Sequence, residues 1–400
     1  MNENRLISLI RKVIRLSVQA IDMIIFYIKS LSYKNNSKYK NMWLISERGN
    51  EAKDNAYVLF KYIRENHPNI NIHYLMDKSF EKDYEKIKDL GNIIEYGSEE
   101  HKIAFLLCDK AISTHTGFLE PWSYKLYKLI LDRKDKKEFI FLQHGITLND
   151  ISDIYKRSSS RIDLFITAAN KEHKAISSPI YEFDKGQVIQ TGLARFDNLY
   201  NAKTKKQIVI MPTWRKEIVN PSYVKEKLLP DSVFTNSEYY KTYNSLINND
   251  KLINKLNESD HELVFYPHYE IQQYIQYFNT TSDKVIIAKK ENYDVQDLLK
   301  ESKLLITDYS SVVFDFAYMN KPILYYQFDE LTHYKKGYFE YDKDGFGDIV
   351  KEEDKLVQKI IEFIDNDFKV SEKYQERINK CFKNRDNKNC ERIFKEIVKM

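Results

Sequence analysis

Four short stretches of this chain place proton-transferring or anion-binding side chains just after an apolar run. In Gln143-His144-Gly145 a histidine follows Phe139–Leu142. An imidazole can be neutral near pH 7 and accept a proton from a hydroxyl, and Gly145 permits a tight turn with close backbone approach to a ligand. The same histidine could instead simply cap its strand. Thr307-Asp308-Tyr309-Ser310-Ser311 reads as a strand end and polar turn running into the apolar helix face of Val312, Val313, Phe316 and Ala317. Asp308, Ser310 or Ser311 could cap that helix, and unpaired N–H groups with serine hydroxyls form a seat for phosphate. Pro212-Thr213-Trp214-Arg215 offers a guanidinium suited to bidentate phosphate pairing, and Tyr266-Pro267-His268 a second strand-end histidine. Singly, Arg215 and His268 read as surface residues. Together, an arginine, a histidine and a Ser-Ser helix start at three strand ends are what a diphosphate site requires.

The elements that must position these residues alternate between strand and helix. Short apolar runs lie at Met42–Ser46, Ile72–Met76, Ile93–Tyr96, Lys110–Thr114, Phe139–Gln143, Leu164–Thr167 and Val188–Thr191. A second set follows at Ile208–Met211, Leu263–Tyr266, Val285–Ile287, Leu304–Thr307 and Ile323–Tyr326. Continuous apolar runs separated by helical segments imply parallel sheets buried on both faces. The lysine-rich stretch Asn201–Gln207 divides the sets. The expected architecture is α/β, with two doubly wound, Rossmann-like domains facing a cleft at their strands' carboxyl ends. Expected boundaries are 1–33 for an N-terminal helix, 34–203 for a first Rossmann-like domain, 204–375 for a second and 376–400 for a basic C-terminal helix.

Four hundred residues suit two domains, and 42% apolar with 30% charged residues is a globular balance. A net charge of +4 lacks the strongly basic footprint of a nucleic-acid binder. Cys108, Cys381 and Cys390 form no C-x-x-C pair and read as reduced thiols of a cytosolic compartment. Metalloprotease, Walker, nucleophile-elbow and dinucleotide-binding motifs are missing, as is cysteine–histidine metal spacing, so no cofactor is required; a divalent metal is compatible, with no site evident. Between Leu6 and Leu31, Arg11, Lys12, Arg15 and Asp22 interrupt an apolar segment whose longest clean run, Met23–Ile28, is far short of a membrane span. An amphipathic helix lying on an anionic bilayer surface fits this pattern, and so does a helix packed on the protein's own surface.

These motifs resemble the CDP-glycerol glycerophosphotransferases, which prime and polymerise teichoic acids and related capsule chains. The matching stretches are Gln143-His144-Gly145, Thr191-Gly192-Leu193-Ala194-Arg195-Phe196-Asp197, Pro212–Arg215, Pro267-His268 and Thr307–Asp315. The chain departs from the family in reading Gly345-Phe346-Gly347-Asp348 where Pro-Gly-Pro is frequent. The resemblance implies a glycosyltransferase-B fold with His144 as general base. It also implies a donor site of Arg215, His268, Ser310, Ser311, Asp308 and Asp315, with Asp315 reaching ribose hydroxyls or serving structure. Gly145, Arg195 and His115 are further cleft candidates. The implied partners are a CDP-polyol donor (glycerol or ribitol), a lipid-linked polymer acceptor and an anionic membrane, at the cytoplasmic side of the cell membrane as a peripheral protein. A nucleotide-sugar transferase of the same fold and a non-catalytic assembly factor are the alternatives.

Overall fold

The computed structural model of the chain describes residues 3–117, 119–131, 137–200, 203–219, 230–331 and 335–400, with side chains from Ile10 onward. Met1 and Asn2 of the expected N-terminal segment, and Asn201 and Ala202 of the expected boundary stretch, lie outside them. Seven parallel strands build the first sheet: β1 (Trp43–Ser46), β2 (Ile72–Met76), β3 (Ile93–Glu95), β4 (Lys110–Ser113), β5 (Glu138–Phe141), β6 (Leu164–Thr167) and β7 (Val188–Gln190). The second has six: β8 (Gln207–Ile210), β9 (Glu262–Phe265), β10 (Val285–Ile287), β11 (Leu304–Thr307), β12 (Ile323–Tyr326) and β13 (Gly347–Val350). Their orders are β3-β2-β1-β4-β5-β6-β7 and β10-β9-β8-β11-β12-β13. Each order reverses beside its first strand, so each domain has a crevice at the carboxyl ends of β1/β4 or β8/β11, where doubly wound sheets bind ligands.

All twelve expected strands form, within a residue or two at their ends. The thirteenth, β13, begins in the stretch that departs from the family pattern. Gly347 lies so close to β12 that a Cβ would sit 1.8 Å from the Ile323 carbonyl oxygen. Only glycine permits that approach, and residues 345–348 serve the sheet edge without lining the cleft.

The expected basic C-terminal helix is instead two helices, Glu372–Cys381 and Asn389–Lys399, and the second crosses back to the first domain. Its Cys390, Ile393 and Ile397 are buried in the core around β1 and β2, and Phe394 stacks on His67 at 3.8 Å. Asp197 accepts the N–H groups of Asn389 and Cys390 at 2.7 and 2.8 Å. Arg392 Nε donates to the Thr191 carbonyl at 2.8 Å. At Gly192, with φ +90°, a Cβ would fall 1.9 Å from Asn389 Oδ1. Thr191, Gly192 and Asp197 of the motif thus seat the chain's last helix.

The N-terminal helix, Glu3–Leu31, docks one face on the helix Glu99–Leu107. Met23, Phe26 and Ser30 are buried, Lys29 pairs with Glu99 at 2.6 Å, and Asp22 pairs with Lys102 at 2.7 Å. On the opposite side Ile10, Ile14, Val18, Ile21, Ile25 and Ile28 form a stripe, each between 49% and 62% exposed.

Truncating Ile397 to alanine should destabilise the protein by about 2–5 kcal/mol, the usual cost of emptying a core aliphatic site. Denaturant unfolding of the full chain checks this, and a loss below about 0.5 kcal/mol would mean that the last helix does not share the first domain's core.

Candidate active site

The turn after β5 carries His144 in a loop held by buried groups. Gln143 has φ +59°, a left-handed conformation that L-residues adopt at a cost, so the surroundings must hold it there. Its Nε2 donates to the Ile166 carbonyl at 2.7 Å and to Glu172 Oε1 at 3.1 Å, while Asn55 Nδ2 donates to its backbone carbonyl at 2.7 Å. Glu172 is fully buried and also accepts the N–H groups of Thr147, Ala168 and Ala169. Burial raises its pKa against those hydrogen bonds. Neither Gln143 nor Glu172 stood out as functional in the sequence, since a glutamate near a helix start reads as ordinary capping.

His144 Nδ1 lies 3.3 Å from the Thr114 carbonyl oxygen. A carbonyl only accepts, so Nδ1 carries the proton and Nε2 keeps its lone pair. The ring stacks on His115 with centroids 4.3 Å apart and planes 9° from parallel. Arg48 Nε donates to His115 Nε2 at 3.2 Å, which fixes His115 as neutral. Burial against the cleft walls lowers the His144 pKa, opposed by Asp54 and the Thr114 carbonyl and reinforced by Arg48 and Arg195.

Across the cleft, His268 shows the complementary arrangement. Its Nδ1 accepts the Glu270 N–H at 3.2 Å, so the proton sits on Nε2 and can be donated. The ring is open to the cleft yet flanked by protein, and this desolvation presses its pKa to about 4. One imidazole presents a lone pair and the other an N–H, both in neutral form.

The two domains meet at this point: a Cβ on Gly145 would lie 3.1 Å from Ser311 Oγ. His144, Gly145, Trp214, His268, Ser310 and Ser311 line one hollow of about 400 Å³. A second, of about 310 Å³, shares His144 and Ser311 and adds Lys53, Lys82, Lys86 and Lys290 with Tyr266, Tyr269 and Tyr293. The lysines and tyrosines escaped sequence reasoning because they are scattered over the chain among 63 cations and 30 tyrosines, with no motif to mark them.

Arg215 and Asp308, expected as donor ligands, lie away from both hollows, whereas Arg195, a further cleft candidate, and Asp315 line the second hollow while paired with each other. Arg215 is 4% exposed; its Nε and Nη2 bind Asp329 at 2.7 and 2.8 Å, Nη2 also meets Asp308 Oδ2 at 2.8 Å, and Nη1 donates to the Thr213 carbonyl. Asp308 Oδ1 accepts the N–H groups of Thr213 and Tyr309. Neither lines the hollows, because a buried guanidinium needs carboxylates of its own; the pair shapes the loops after β8 and β11 from beneath. Arg195 joins the domains, donating to both Asp315 oxygens at 2.7 and 2.9 Å, to Asp54 Oδ1 at 2.8 Å and to the His144 carbonyl at 2.8 Å. Asp315, 1% exposed, is the counter-ion of that bridge. It thus has the structural role considered for it, and it also lines the second hollow, where the ribose-binding role was expected. No group of three or more metal-ligating side chains occurs among the described residues.

A model of the CDP-Glycerol:Poly(glycerophosphate) glycerophosphotransferase family matches residues 27–399. The chain belongs to this family. It is 37% identical to the minor teichoic acid biosynthesis protein GgaB of Bacillus subtilis, over 90% of this chain and 40% of that protein. It is 23% identical to the teichoic acid glycerol-phosphate transferase of Staphylococcus aureus, over 82% of this chain and 86% of that one. The chain spans only 50% of the poly(glycerol phosphate) polymerase of Bacillus subtilis, so like GgaB that relative is about twice its length. Among solved structures, the wall teichoic acid polymerase TagF shares the fold over 100% of this chain and 98% of its own, with a TM-score of 0.67 and 21% identity. A histidine-to-asparagine variant of TagF soaked with CDPG aligns with a TM-score of 0.64. A UDP-bound Staphylococcus aureus MnaA aligns at 0.52, which extends the likeness to a wider two-domain class.

Replacing Arg195 with methionine would leave buried Asp315 without its counter-ion and take the guanidinium from half-buried Asp54. The expected loss is about 3–5 kcal/mol of stability, read by thermal or denaturant unfolding. An unchanged midpoint would show that the bridge contributes nothing to holding the domains together.

Proposed function

We propose that this chain transfers a polyol phosphate from a CDP-activated polyol to a hydroxyl of a membrane-linked surface polymer, releasing CMP. The observation that carries this reading is the opposed hydrogen bonding of two histidines across one cleft: His144 Nδ1 faces the Thr114 carbonyl and His268 Nδ1 the Glu270 N–H, which leaves the first neutral ring a lone pair for the cleft and the second an N–H. The acceptor hydroxyl gives its proton to His144 Nε2 as its oxygen bonds to the β-phosphorus of the donor. The bond from that phosphorus to the bridging oxygen breaks, and the electron pair leaves on CMP. His268, Ser310 and Ser311 bind the phosphoryl oxygens as charge builds on them. Catalysis of this kind rests on positioning and preorganised donors. The tyrosine- and lysine-lined hollow suits the nucleoside end of the donor, because aromatic faces take a base and ammonium groups balance a diphosphate.

The N-terminal helix suits attachment to the cytoplasmic face of a membrane. No helix among the described residues is long and apolar enough to cross one. The exposed isoleucine and valine stripe, with Arg11, Lys12 and Arg15 near its start, has the composition of an interfacial helix.

His144→Ala should lower kcat about 10²- to 10⁴-fold with donor affinity nearly intact, as loss of a general base does. His268→Ala should weaken donor binding by about 1.5–3 kcal/mol through a lost charge-assisted contact. Calorimetric titration with CDP-glycerol and CDP-ribitol beside a CMP-release assay separates the two, and the opposite pattern would exchange the roles. The lowered pKa of His144 fixes the sign of the pH dependence. The base works when neutral, so kcat/KM should persist as pH falls below the ordinary imidazole value of 6.5 and drop only through the depressed one. An acid limb at or above 6.5 would contradict a desolvated base.

Changing Ile14, Val18, Ile21 and Ile25 to serine together should reduce binding to anionic vesicles about tenfold or more while leaving the melting temperature in place, since these side chains face away from the docked side. Sedimentation with liposomes is the measurement, and full retention of binding would remove the helix from the attachment.

A further inference from the structure

A third cavity, of about 340 Å³, lies within the first domain between the sheet and the segments 119–125 and 154–162. Its floor is the β4/β5 face of Ala111, Ser113, Phe139 and Phe141, and His115 and Thr116 also line it. Phe141 lines the His144 hollow as well, and His115 is the ring on which His144 stacks, so the cavity adjoins that hollow. At its other end the wall is Ser123 and Tyr124. The Ser123 N–H donates to Gln19 Oε1 at 3.2 Å, and neighbouring Trp122 Nε1 donates to Asp22 Oδ2 at 2.7 Å. Both acceptors sit on the N-terminal helix. The cavity's walls are thus bonded to the helix that bears the exposed apolar stripe and stacked against His144.

The wall chemistry selects the occupant. Phe139, Phe141 and Tyr124 give flat apolar faces, and Ser123, Ser159 and Ser160 give hydroxyl oxygens, the last two already donating to the Lys156 carbonyl and so left as acceptors. Glu120 is 8% exposed, and its Oε2 has no hydrogen-bond partner. Burial raises its pKa, while the N–H groups of Gly117, Leu119 and Glu120 and the Lys137 charge oppose the shift. A buried carboxyl oxygen without a partner is costly, and a hydroxyl donated by a ligand removes that cost. An alkyl or isoprenoid chain would leave it unmet. Aromatic faces with serines and one carboxylate are the surroundings of a hydroxylated ring or polyol.

We propose that this cavity is an acceptor subsite that binds a sugar or polyol unit of the acceptor behind its reacting hydroxyl, with a ligand hydroxyl donating to Glu120. The assignment rests on the transferase reading for the identity of the acceptor, and the pocket's own binding can be measured without turnover. Octyl β-glucoside below its micelle concentration and a synthetic glycerol-phosphate trimer are the two probes, one a ring and one a polyol chain. Binding to the intact 400-residue chain is followed by saturation-transfer NMR, with CDP-glycerol affinity measured calorimetrically as the reference. Glu120→Gln, which keeps the shape, should weaken one probe about tenfold, and Ala111→Phe, which fills the floor, should abolish the same probe's signal; donor affinity should be retained in both. In the CMP-release assay, Glu120→Gln should raise the acceptor KM by a similar factor. Equal probe binding in the wild type and both folded variants would overturn the subsite, as would a parallel loss of donor affinity. Probe binding that depends on Glu120 in a protein that releases no CMP from any CDP-polyol would uphold the subsite and overturn the transferase reading.

Discussion

Arg195 sits where the two domains touch, with its guanidinium shared among Asp54 of the first domain, Asp315 of the second and the carbonyl of His144 itself. Burying a cation is tolerable only when carboxylates and carbonyls satisfy it, so the domains must come together for any of these groups to be stable. One side chain thereby ties the contact between the domains to the position of the loop that carries His144. The coupling is reinforced by a hydrophobic cluster that spans both domains, with Ile146, Leu148, Leu193 and Phe196 packed against Met211, Val264 and Phe314. The loop after β1 joins the same network. Glu47 is fully buried and accepts the N–H groups of Lys53, Asp54 and Tyr57, with its pKa pushed to about 8 by burial and by Asp54.

The two cleft histidines illustrate how backbone decides side-chain chemistry. Each is desolvated, so both favour the neutral state, yet one ring nitrogen faces a carbonyl and the other a backbone N–H. That difference alone makes His144 an acceptor towards the cleft and His268 a donor. A proton on His144 would sit beside the neutral ring of His115 and near Arg48 and Arg195, with Asp54 and the Thr114 carbonyl as its partial compensation.

The chain's two ends have related tasks. The last helix closes the core of the first domain, although the second domain precedes it in sequence, so the domains are tied together by chain path as well as by Arg195. The first helix is docked by Met23, Phe26 and two ion pairs, and this docking fixes the direction in which its exposed stripe points. Removing it whole would strip residues from the core, which is why point changes on the outer face are the cleaner probe of its role.

Twelve of thirteen strands were legible in the chain because strands buried on both faces must be continuously apolar, a demand that composition alone expresses. β13 escaped because its pattern of Gly347, Asp348, Ile349 and Val350 is that of a half-exposed edge. His144, His268, Ser310 and Ser311 were legible because each follows directly on a buried strand, and the topology of parallel sheets brings such strand ends to one side. The cleft's lysines and tyrosines, Glu172, Glu120 and the stacked His115–His144 pair depend on residues tens to hundreds of positions apart, and no local pattern records which of them meet. Arg195, Arg215 and Asp308 were recognisable as special but not as structural, while for Asp315 a structural role was already one of two readings. A charged residue in a motif looks the same whether its partner is a ligand or another side chain, and only the tertiary structure supplies the partner.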